Sequence, residues 1–341
     1  MKTRASNIEF LRLLAMFLVL GAHANYVALR GAPDWTDFVT NPVPSFFRVF
    51  FEQACVVGVN VFILISGWFG IKPKTEKFLS ILFQVFFFSI AICILAPLWG
   101  ETVELRHLVK TFWVGSEYWF VIAYLILFLF SPALNAYCEK ASEKELRTFL
   151  ILFYTFSTCY GFIGHDIGNF HYGYSAISFI GLYVLARYVR IHGGKVFSWK
   201  SRTDLSVFLL CVLITTGISI LQTRFNRTDL LRQIDYNNPL VILAALYLFL
   251  AFSKIKFESK AVNWLAGGAF AIYIIHYHPL VFDHYVALCQ QIYQSLSGVS
   301  CLLAICAALV VVGLACILLD KVRMAIWKPV AHWVKGLSTR V

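Results

Sequence analysis

Arg12 and His23 are the two residues of this sequence whose types and spacing point most directly to chemistry. Both lie in the mostly apolar stretch NIEFLRLLAMFLVLGAHANY, residues 7–26, which has the length of a membrane-spanning helix. Eleven residues separate them, or about three turns of α-helix, so we expect both side chains on one face, roughly 16 Å apart along the axis. Ionisable groups at membrane depth are costly, and their presence is a functional hypothesis by default.

The chemistry that suits these residues is proton transfer at His23 and anion binding at Arg12. Histidine ionises near neutral pH and can act as a general base. Arginine keeps its charge, and its planar fork can hold a phosphate or a carboxylate. Glu9, three residues earlier, can pair with Arg12 along the helix. The structural alternative is that Arg12 extends to lipid headgroups while His23 is hydrogen-bonded inside the bundle.

Further candidates lie at the ends of other apolar segments. Tyr118 and Trp119, which follow Glu117, begin a segment where they could bind a sugar by stacking, although an interfacial anchor explains them almost as well. His276 lies in a late segment, and Pro279 three residues on loosens the backbone there, as membrane helices tolerate mainly beside a cavity. His276 is therefore a candidate for lining a substrate site, with a core histidine as the alternative.

Three polar residues near the second apolar segment also need partners. Arg48 and Glu52, four residues apart, either pair with each other or point into a polar cavity beside His23. Asn60 requires a buried hydrogen-bond partner. The nine cysteines are scattered, with no CxxC pair and no Cys/His cluster at metal-ligand spacing, so we expect no metal site.

Composition places these residues in a polytopic membrane protein. Hydrophobic residues make up 60% of the 341 positions and charged residues 14%, which excludes an ordinary soluble enzyme. Long apolar runs recur with only short polar breaks, so we expect one domain over 1–341. The first run has charges within it and no convincing cleavage site, which indicates a retained helix and not a signal peptide.

The order of apolar runs predicts an all-α transmembrane bundle of about ten helices. The runs fall at about 8–28, 50–70, 78–99, 117–137, 148–165, 172–190, 204–222, 239–253, 263–283 and 299–319. With both termini in the cytoplasm, most of the 29 Lys and Arg residues lie on the cytoplasmic side. The net charge of +11 therefore reflects topology and not nucleic-acid binding. Residues 322–341 read as a short basic amphipathic tail on the cytoplasmic surface.

Several segments, taken in order, resemble acyltransferase family 3, the integral membrane acyltransferases that modify bacterial surface polysaccharides. Glu9-Phe10-Leu11-Arg12 with His23 is similar to the family's pattern of an arginine, a ten-residue gap and a histidine. NVFILISGWF at 60–69, YWFVIAYLILFLFSP at 118–132 and FAIYIIHYHPL at 270–280 are similar to later family segments. One departure is mild, because many relatives have aspartate where Glu9 stands.

The resemblance implies transfer of an acyl group, most often acetyl, from cytoplasmic acyl-CoA to a hydroxyl of a surface glycan or an undecaprenyl-linked saccharide. It implies His23 as base or transient acyl acceptor, Arg12 at the CoA end of the donor, and Glu9, Tyr118, Trp119 and His276 as substrate-binding residues. Acyl-CoA would be a co-substrate, and no permanently bound cofactor is expected. The location implied is the bacterial cytoplasmic membrane, with lipids as partners and a homo-oligomer left open. No appended extracytoplasmic domain is recognisable, so the membrane domain would complete the transfer.

The main alternative is a transporter or flippase of a lipid-linked glycan. Ten helices with intramembrane charge would also serve that function, but the halves of the chain show no repeat of the kind many transporters have. A non-catalytic scaffold leaves the alignment of Arg12 with His23 unexplained.

Overall fold

The computed structural model describes residues 5–112, 118–164, 166, 168–194, 198–228 and 230–338, and these residues form helices without a strand. The helices are α1 (Ser6–Ala22), α2 (Trp35–Thr40), α3 (Pro42–Cys55), α4 (Gly58–Phe69), α5 (Thr75–Leu95), α6 (Leu105–Phe112), α7 (Trp119–Lys140), α8 (Glu143–Phe156), α9 (Ala176–His192), α10 (Ser201–Arg224), α11 (Pro239–Ser253), α12 (Lys260–Ala266), α13 (Ala269–His276), α14 (Pro279–Ser295) and α15 (Gly298–Ser338). The predicted all-α class is confirmed for this part of the chain.

Fewer helices are long and apolar enough to span a membrane than the ten that the sequence predicts. Over the described residues, seven helical stretches are long and apolar enough to cross a membrane, and the bent pair formed by α12–α13 and α14 would make eight. Each of the ten expected segments overlaps a helix, but α9 has only 17 residues and α11 only 15. The count of ten and the cytoplasmic placement of both termini stay predictions.

The expected continuous helix over 263–283 is wrong, because the chain breaks after His276. Pro279 has no backbone N–H and disfavours helical geometry in the residue before it, and His278 is accordingly extended, with φ −66° and ψ 132°. The Nδ1 of His278 accepts from the N–H of Leu280 at 3.2 Å and caps α14. The two helical parts meet at 93°. The turn leaves His276 at the very end of α13.

α4 lies at the centre of the bundle and packs closely against its neighbours through glycines. A Cβ added at Gly58 would lie 2.8 Å from the carbonyl oxygen of Ala15 in α1. A Cβ at Gly67 would lie 2.6 Å from the carbonyl oxygen of Tyr183 in α9. Small residues allow such backbone approach in membrane bundles. In the first turn of α4, the Nδ2 of the buried Asn60 has the predicted partner, the carbonyl of Tyr236 at 2.9 Å, while its Oδ1 has none among the described residues.

Gly67→Ala is expected to destabilise the protein by about 1–3 kcal/mol, since the added methyl group must displace packed backbone. The matched control is Gly217→Ala in α10, because a Cβ there meets no atom within 4 Å. The control should leave stability unchanged or raise it by up to about 1 kcal/mol through helix propensity. Thermal unfolding in detergent, followed by tryptophan fluorescence, compares the two; equal melting temperatures would contradict the close packing.

The basic C-terminal segment begins inside the longest helix. α15 continues to Ser338, well past the start of the expected tail at about 322. Arg323 is buried, pairs with Asp320 at 2.8 Å, and Asp320 also accepts from Gln84 of α5 at 2.8 Å. This first basic residue is therefore part of the bundle, while a surface position for the remainder stays a prediction.

Candidate active site

His23 lies where the first helix changes its winding. α1 ends at Ala22, and residues His23–Val27 form a π-helical segment in which the N–H of Ala28 donates to the carbonyl of His23 at 3.1 Å. Because α1 is regular up to Ala22, Arg12 and His23 keep the predicted spacing of three turns. Short π segments occur frequently at functional sites.

His23 forms a hydrogen bond with His276, which lies 253 residues further along the chain. The His23 Nδ1 to His276 Nε2 distance is 2.9 Å, and the Nδ1 of His276 lies 2.5 Å from the carbonyl oxygen of Ile272. The His23 ring also packs against Tyr277 and Phe282, with centroid distances of 5.3 Å to each. These contacts fix the orientation of the imidazole.

The carbonyl of Ile272 determines which ring nitrogens carry hydrogen. A carbonyl oxygen can only accept, so Nδ1 of His276 must be the donor. A neutral His276 then has an unprotonated Nε2, which accepts the hydrogen on Nδ1 of His23. A neutral His23 is left with a lone pair on Nε2, and no residue in the described ranges hydrogen-bonds to that atom. This chain of hydrogen bonds leaves the lone pair on Nε2 of His23 available to accept a proton.

The lone pair belongs to a side chain that lines a cavity of about 300 Å³, which we call the His23 cavity. Its wall combines apolar side chains of α1 and α3–α4 with aromatic rings and two charged groups. The lining residues are Met16, Val19, Ala22, His23, Tyr26, Val27, Glu52, Val56, Val59, Trp119, Phe120, Tyr174, Arg232, Ile234, Tyr236, Tyr273, Tyr277 and Phe282. The mixture suits a site that holds an acyl group beside a polar acceptor.

Tyr273 is a candidate hydrogen-bond donor in the wall of this cavity. Its side chain is 5% exposed, lines the cavity and has no acceptor for its hydroxyl hydrogen among the described residues. The backbone N–H of Phe120, itself a donor, approaches the same oxygen. A tetrahedral oxyanion requires a donor of this kind, and Tyr273 and His23 line the same cavity. The sequence marked Tyr273 only as part of the segment FAIYIIHYHPL at 270–280.

Arg12 and Glu9 form the predicted pair, and Arg12 lies one turn of α1 from the nearest lining residue of this cavity. The Arg12 guanidinium lies 2.8 Å from the Glu9 carboxylate, and the Arg12 side chain is 27% exposed. Met16, which lines the cavity, is four residues from Arg12 and so lies on the same face of α1, about 6 Å along its axis. The cavity at His23 therefore extends along the helix towards Arg12.

The two aromatic candidates at the start of α7 have different surroundings. Trp119 lines the His23 cavity. Tyr118 is buried and donates to the carbonyl of Ile274 in α13 at 3.0 Å, outside the lining of that cavity. The contact braces the segment that carries His276, and a role for Tyr118 in substrate binding stays a prediction. Glu117 lies outside the described residues.

Arg48 and Glu52 point into a second cavity and do not pair with each other. This Arg48 cavity has a volume of about 330 Å³ and shares Tyr26, Glu52, Arg232 and Ile234 with the His23 cavity. Glu52 accepts from the side chain of Asn25 at 3.0 Å, while Arg48 donates to the carbonyl of Gly31 at 3.1 Å. Of the two alternatives left open by the sequence, the polar cavity beside His23 is the one observed.

Comparison with known protein families identifies the family to which this chain belongs. A family model described as an acyltransferase domain matches residues 6–320, nearly the whole chain. The chain belongs to acyltransferase family 3. No curated protein and no solved structure matches it. The match covers α1 to α14 and most of the apolar part of α15, so the two histidines, both cavities and the Arg12–Glu9 pair all belong to the acyltransferase domain.

Loop residues that the sequence did not single out also shape the site of this acyltransferase. Arg232 lines both cavities, lies over the ring of Tyr172 at 4.4 Å and pairs with Asp235 at 3.3 Å. Burial raises the pKa of Asp235 to about 7, against the opposing effect of Arg232. Within the described residues, no group of three or more His, Cys, Asp or Glu side chains is placed to hold a metal ion.

Proposed function

We propose that this membrane acyltransferase moves an acyl group, acetyl in the simplest case, from acyl-CoA to a hydroxyl of a surface glycan or lipid-linked sugar. The observation that carries the proposal is the lone pair on Nε2 of His23, which the bonds to His276 and Ile272 leave free in a cavity. A thioester is already activated, so the protein needs mainly a base, an oxyanion donor and close positioning.

Each step of the reaction then has a group in the His23 cavity. Nε2 of His23 takes the proton of the acceptor hydroxyl, whose oxygen attacks the thioester carbonyl. The tetrahedral oxyanion accepts a hydrogen bond from the hydroxyl of Tyr273. When the intermediate collapses, the carbon–sulfur bond breaks and the CoA thiolate takes the proton from His23. His276 holds the tautomer and ring orientation of the base, the part an aspartate has in a catalytic triad.

The same lone pair also fits the alternative in which His23 is first acylated. In that route Nε2 attacks the thioester, CoA thiolate leaves, and the acceptor hydroxyl then removes the acyl group from the imidazole. Incubation with radiolabelled acetyl-CoA in the absence of acceptor distinguishes the routes, because only the second places acid-labile label on the protein.

Arg12 is proposed to bind the CoA end of the donor. It lies on the face of α1 that leads to His23, and its permanent charge and fork geometry suit phosphate. With the N-terminus in the cytoplasm of a bacterium, Arg12 would lie on the side where acyl-CoA is made and His23 on the side of the surface glycan. The thioester would reach His23 along the face of α1 on which Met16 lies.

A labelled-donor assay tests the enzyme against the transporter alternative. The purified protein in nanodiscs is given [¹⁴C]acetyl-CoA, and free CoA and labelled esters are separated by chromatography, since exposed cysteines such as Cys159 and Cys306 would react with thiol reagents. Consumption of the thioester supports the acyltransferase. No consumption, together with glycan movement in proteoliposomes, would instead establish the transporter.

His276→Leu is expected to lower kcat at least about tenfold, because the imidazole of His23 loses its acceptor and its fixed tautomer. His276→Gln should recover part of the rate, since an amide can accept from His23 and donate to Ile272 at once. The KM for acetyl-CoA should stay the same in both variants. Steady-state kinetics makes the comparison, and equal kcat for Leu and Gln would show that His276 does not position the base.

A further inference from the structure

The Arg48 cavity contains one buried donor and one buried acceptor that have no hydrogen-bond partner. Gln53 is 3% exposed, and its Nε2 donates to Ser219 at 3.3 Å while its Oε1 has no partner. The Nε of Arg48 is likewise buried without a partner, although another guanidinium nitrogen donates to Gly31. Both residues lie on α3 and line the cavity. Buried polar groups are nearly always hydrogen-bonded, so these two atoms are positions where polar groups of a ligand can bind.

A hydroxyl group, or a pair of adjacent hydroxyls, is the simplest chemistry that satisfies both atoms. A hydroxyl can donate to Oε1 of Gln53 and accept from Nε of Arg48. The other amides of the lining are already occupied: Gln222 donates to the carbonyl of Leu231 at 3.0 Å, and Gln233 accepts from Asn238 at 3.3 Å. These satisfied groups form a rigid polar wall around the two open positions.

The ionisable side chains around the cavity already have partners within the protein, which favours an uncharged ligand. Arg48 has Asp37 within electrostatic reach and Glu52 on the same helix face. Arg232 is paired with Asp235. Glu52 accepts from Asn25 at 3.0 Å, and Arg48 donates to the carbonyl of Gly31 at 3.1 Å. These partners lie within the protein, so the cavity wall does not select a ligand of either charge.

The position of the cavity connects this ligand to the reaction. Glu52 and Arg232 form part of the wall of both cavities, so a molecule seated at Gln53 borders the His23 cavity. We infer that the Arg48 cavity binds the acceptor as an uncharged sugar unit with adjacent hydroxyls, held by Gln53 and Arg48, with another hydroxyl directed past Glu52 to His23. This inference rests on the proposed function and specifies its acceptor site.

Two readouts on the full-length protein in nanodiscs separate the acceptor site from the chemistry. The first is hydrolysis of [¹⁴C]acetyl-CoA without acceptor, which needs the groups proposed to bind the donor but not the Arg48 cavity. The second is formation of labelled ester on methyl glycosides of neutral hexoses and N-acetylhexosamines, compared with methyl glucuronide and glucose 6-phosphate. For Gln53→Met we expect the KM for the neutral glycoside to rise about tenfold, with hydrolysis and the KM for acetyl-CoA unchanged.

The control is Gln291→Met, an exposed glutamine of α14 outside both cavities, which should leave all three values unchanged. If Gln53→Met does not fold, Thr228→Trp at the exposed rim of the cavity should produce the same increase in KM. An unchanged acceptor KM in the folded variant overturns the inference and means that the cavity holds water alone. Hydrolysis by the wild type without transfer to any neutral glycoside, or a preference for the anionic sugars, also overturns it. Absence of acetyl-CoA consumption would instead contradict the proposed function.

Discussion

His23→Ala is expected to lower the rate of acetyl transfer by about 10²- to 10⁴-fold, the range that a positioned general base contributes. The substitution removes the only atom in the proposed reaction that can take the acceptor proton, and it also leaves Nε2 of His276 without its donor. Because Arg12 lies three turns away, the affinity for acetyl-CoA should change little. Single-turnover transfer from labelled acetyl-CoA measures the rate, and equilibrium binding of the same donor measures the affinity.

His23→Gln separates the base from its structural contacts. A glutamine amide can donate to Nε2 of His276 and so preserve that hydrogen bond, but it cannot accept and release a proton at neutral pH. We therefore expect His23→Gln to melt like the wild type and to be as inactive as His23→Ala. His284→Ala, which removes an exposed histidine that pairs with Glu101 at 2.9 Å, is the matched control and should be fully active. Wild-type activity in His23→Gln would refute His23 as the base.

The first helix and its two ionisable residues could be predicted from the sequence alone because their relation is local. The spacing of Arg12 and His23 and the pairing of Glu9 with Arg12 depend only on helical geometry over a few turns. The structure contains a feature of each alternative for His23. The ring is hydrogen-bonded inside the bundle, as the structural alternative predicts, and it also lines a cavity, as a functional residue would.

The link from His23 to His276 could not be predicted, since it joins residues 253 apart in sequence. The direction of that bond depends on the carbonyl of Ile272, which is a property of the folded end of α13. The sequence did indicate a loosened backbone near Pro279, but the 93° bend and the restart of a helix there depend on the cap that His278 forms. Long-range contacts of this kind leave no periodic signal.

Loop residues were missed for a similar reason. Arg232 and Tyr236 come from the connection between α10 and α11, a polar stretch without helical periodicity, yet both line the His23 cavity. Tyr118 and Trp119 are adjacent in sequence, and only the fold shows that Trp119 lines the cavity while Tyr118 bonds to α13. Neighbouring residues at a helix start project in different directions, and the packing of α7 against α13 decides which one meets the cavity.

Tyr273→Phe is expected to lower kcat by about 10²- to 10³-fold, the usual effect of removing one oxyanion donor. Phenylalanine keeps the ring, so the packing against Tyr277 at 5.5 Å and against Phe120 at 5.6 Å is retained, and the KM for acetyl-CoA should hardly change. Tyr154→Phe is the matched control: its hydroxyl is also buried without a partner among the described residues, but it lies on α8 outside both cavities. Steady-state kinetics of the two variants distinguishes a donor used only in the transition state from a hydroxyl that is merely buried. A group that meets the developing charge stabilises only the transition state, so its removal lowers kcat without weakening substrate binding. A loss of similar size in both variants, or no loss in Tyr273→Phe, would therefore exclude Tyr273 as the oxyanion donor.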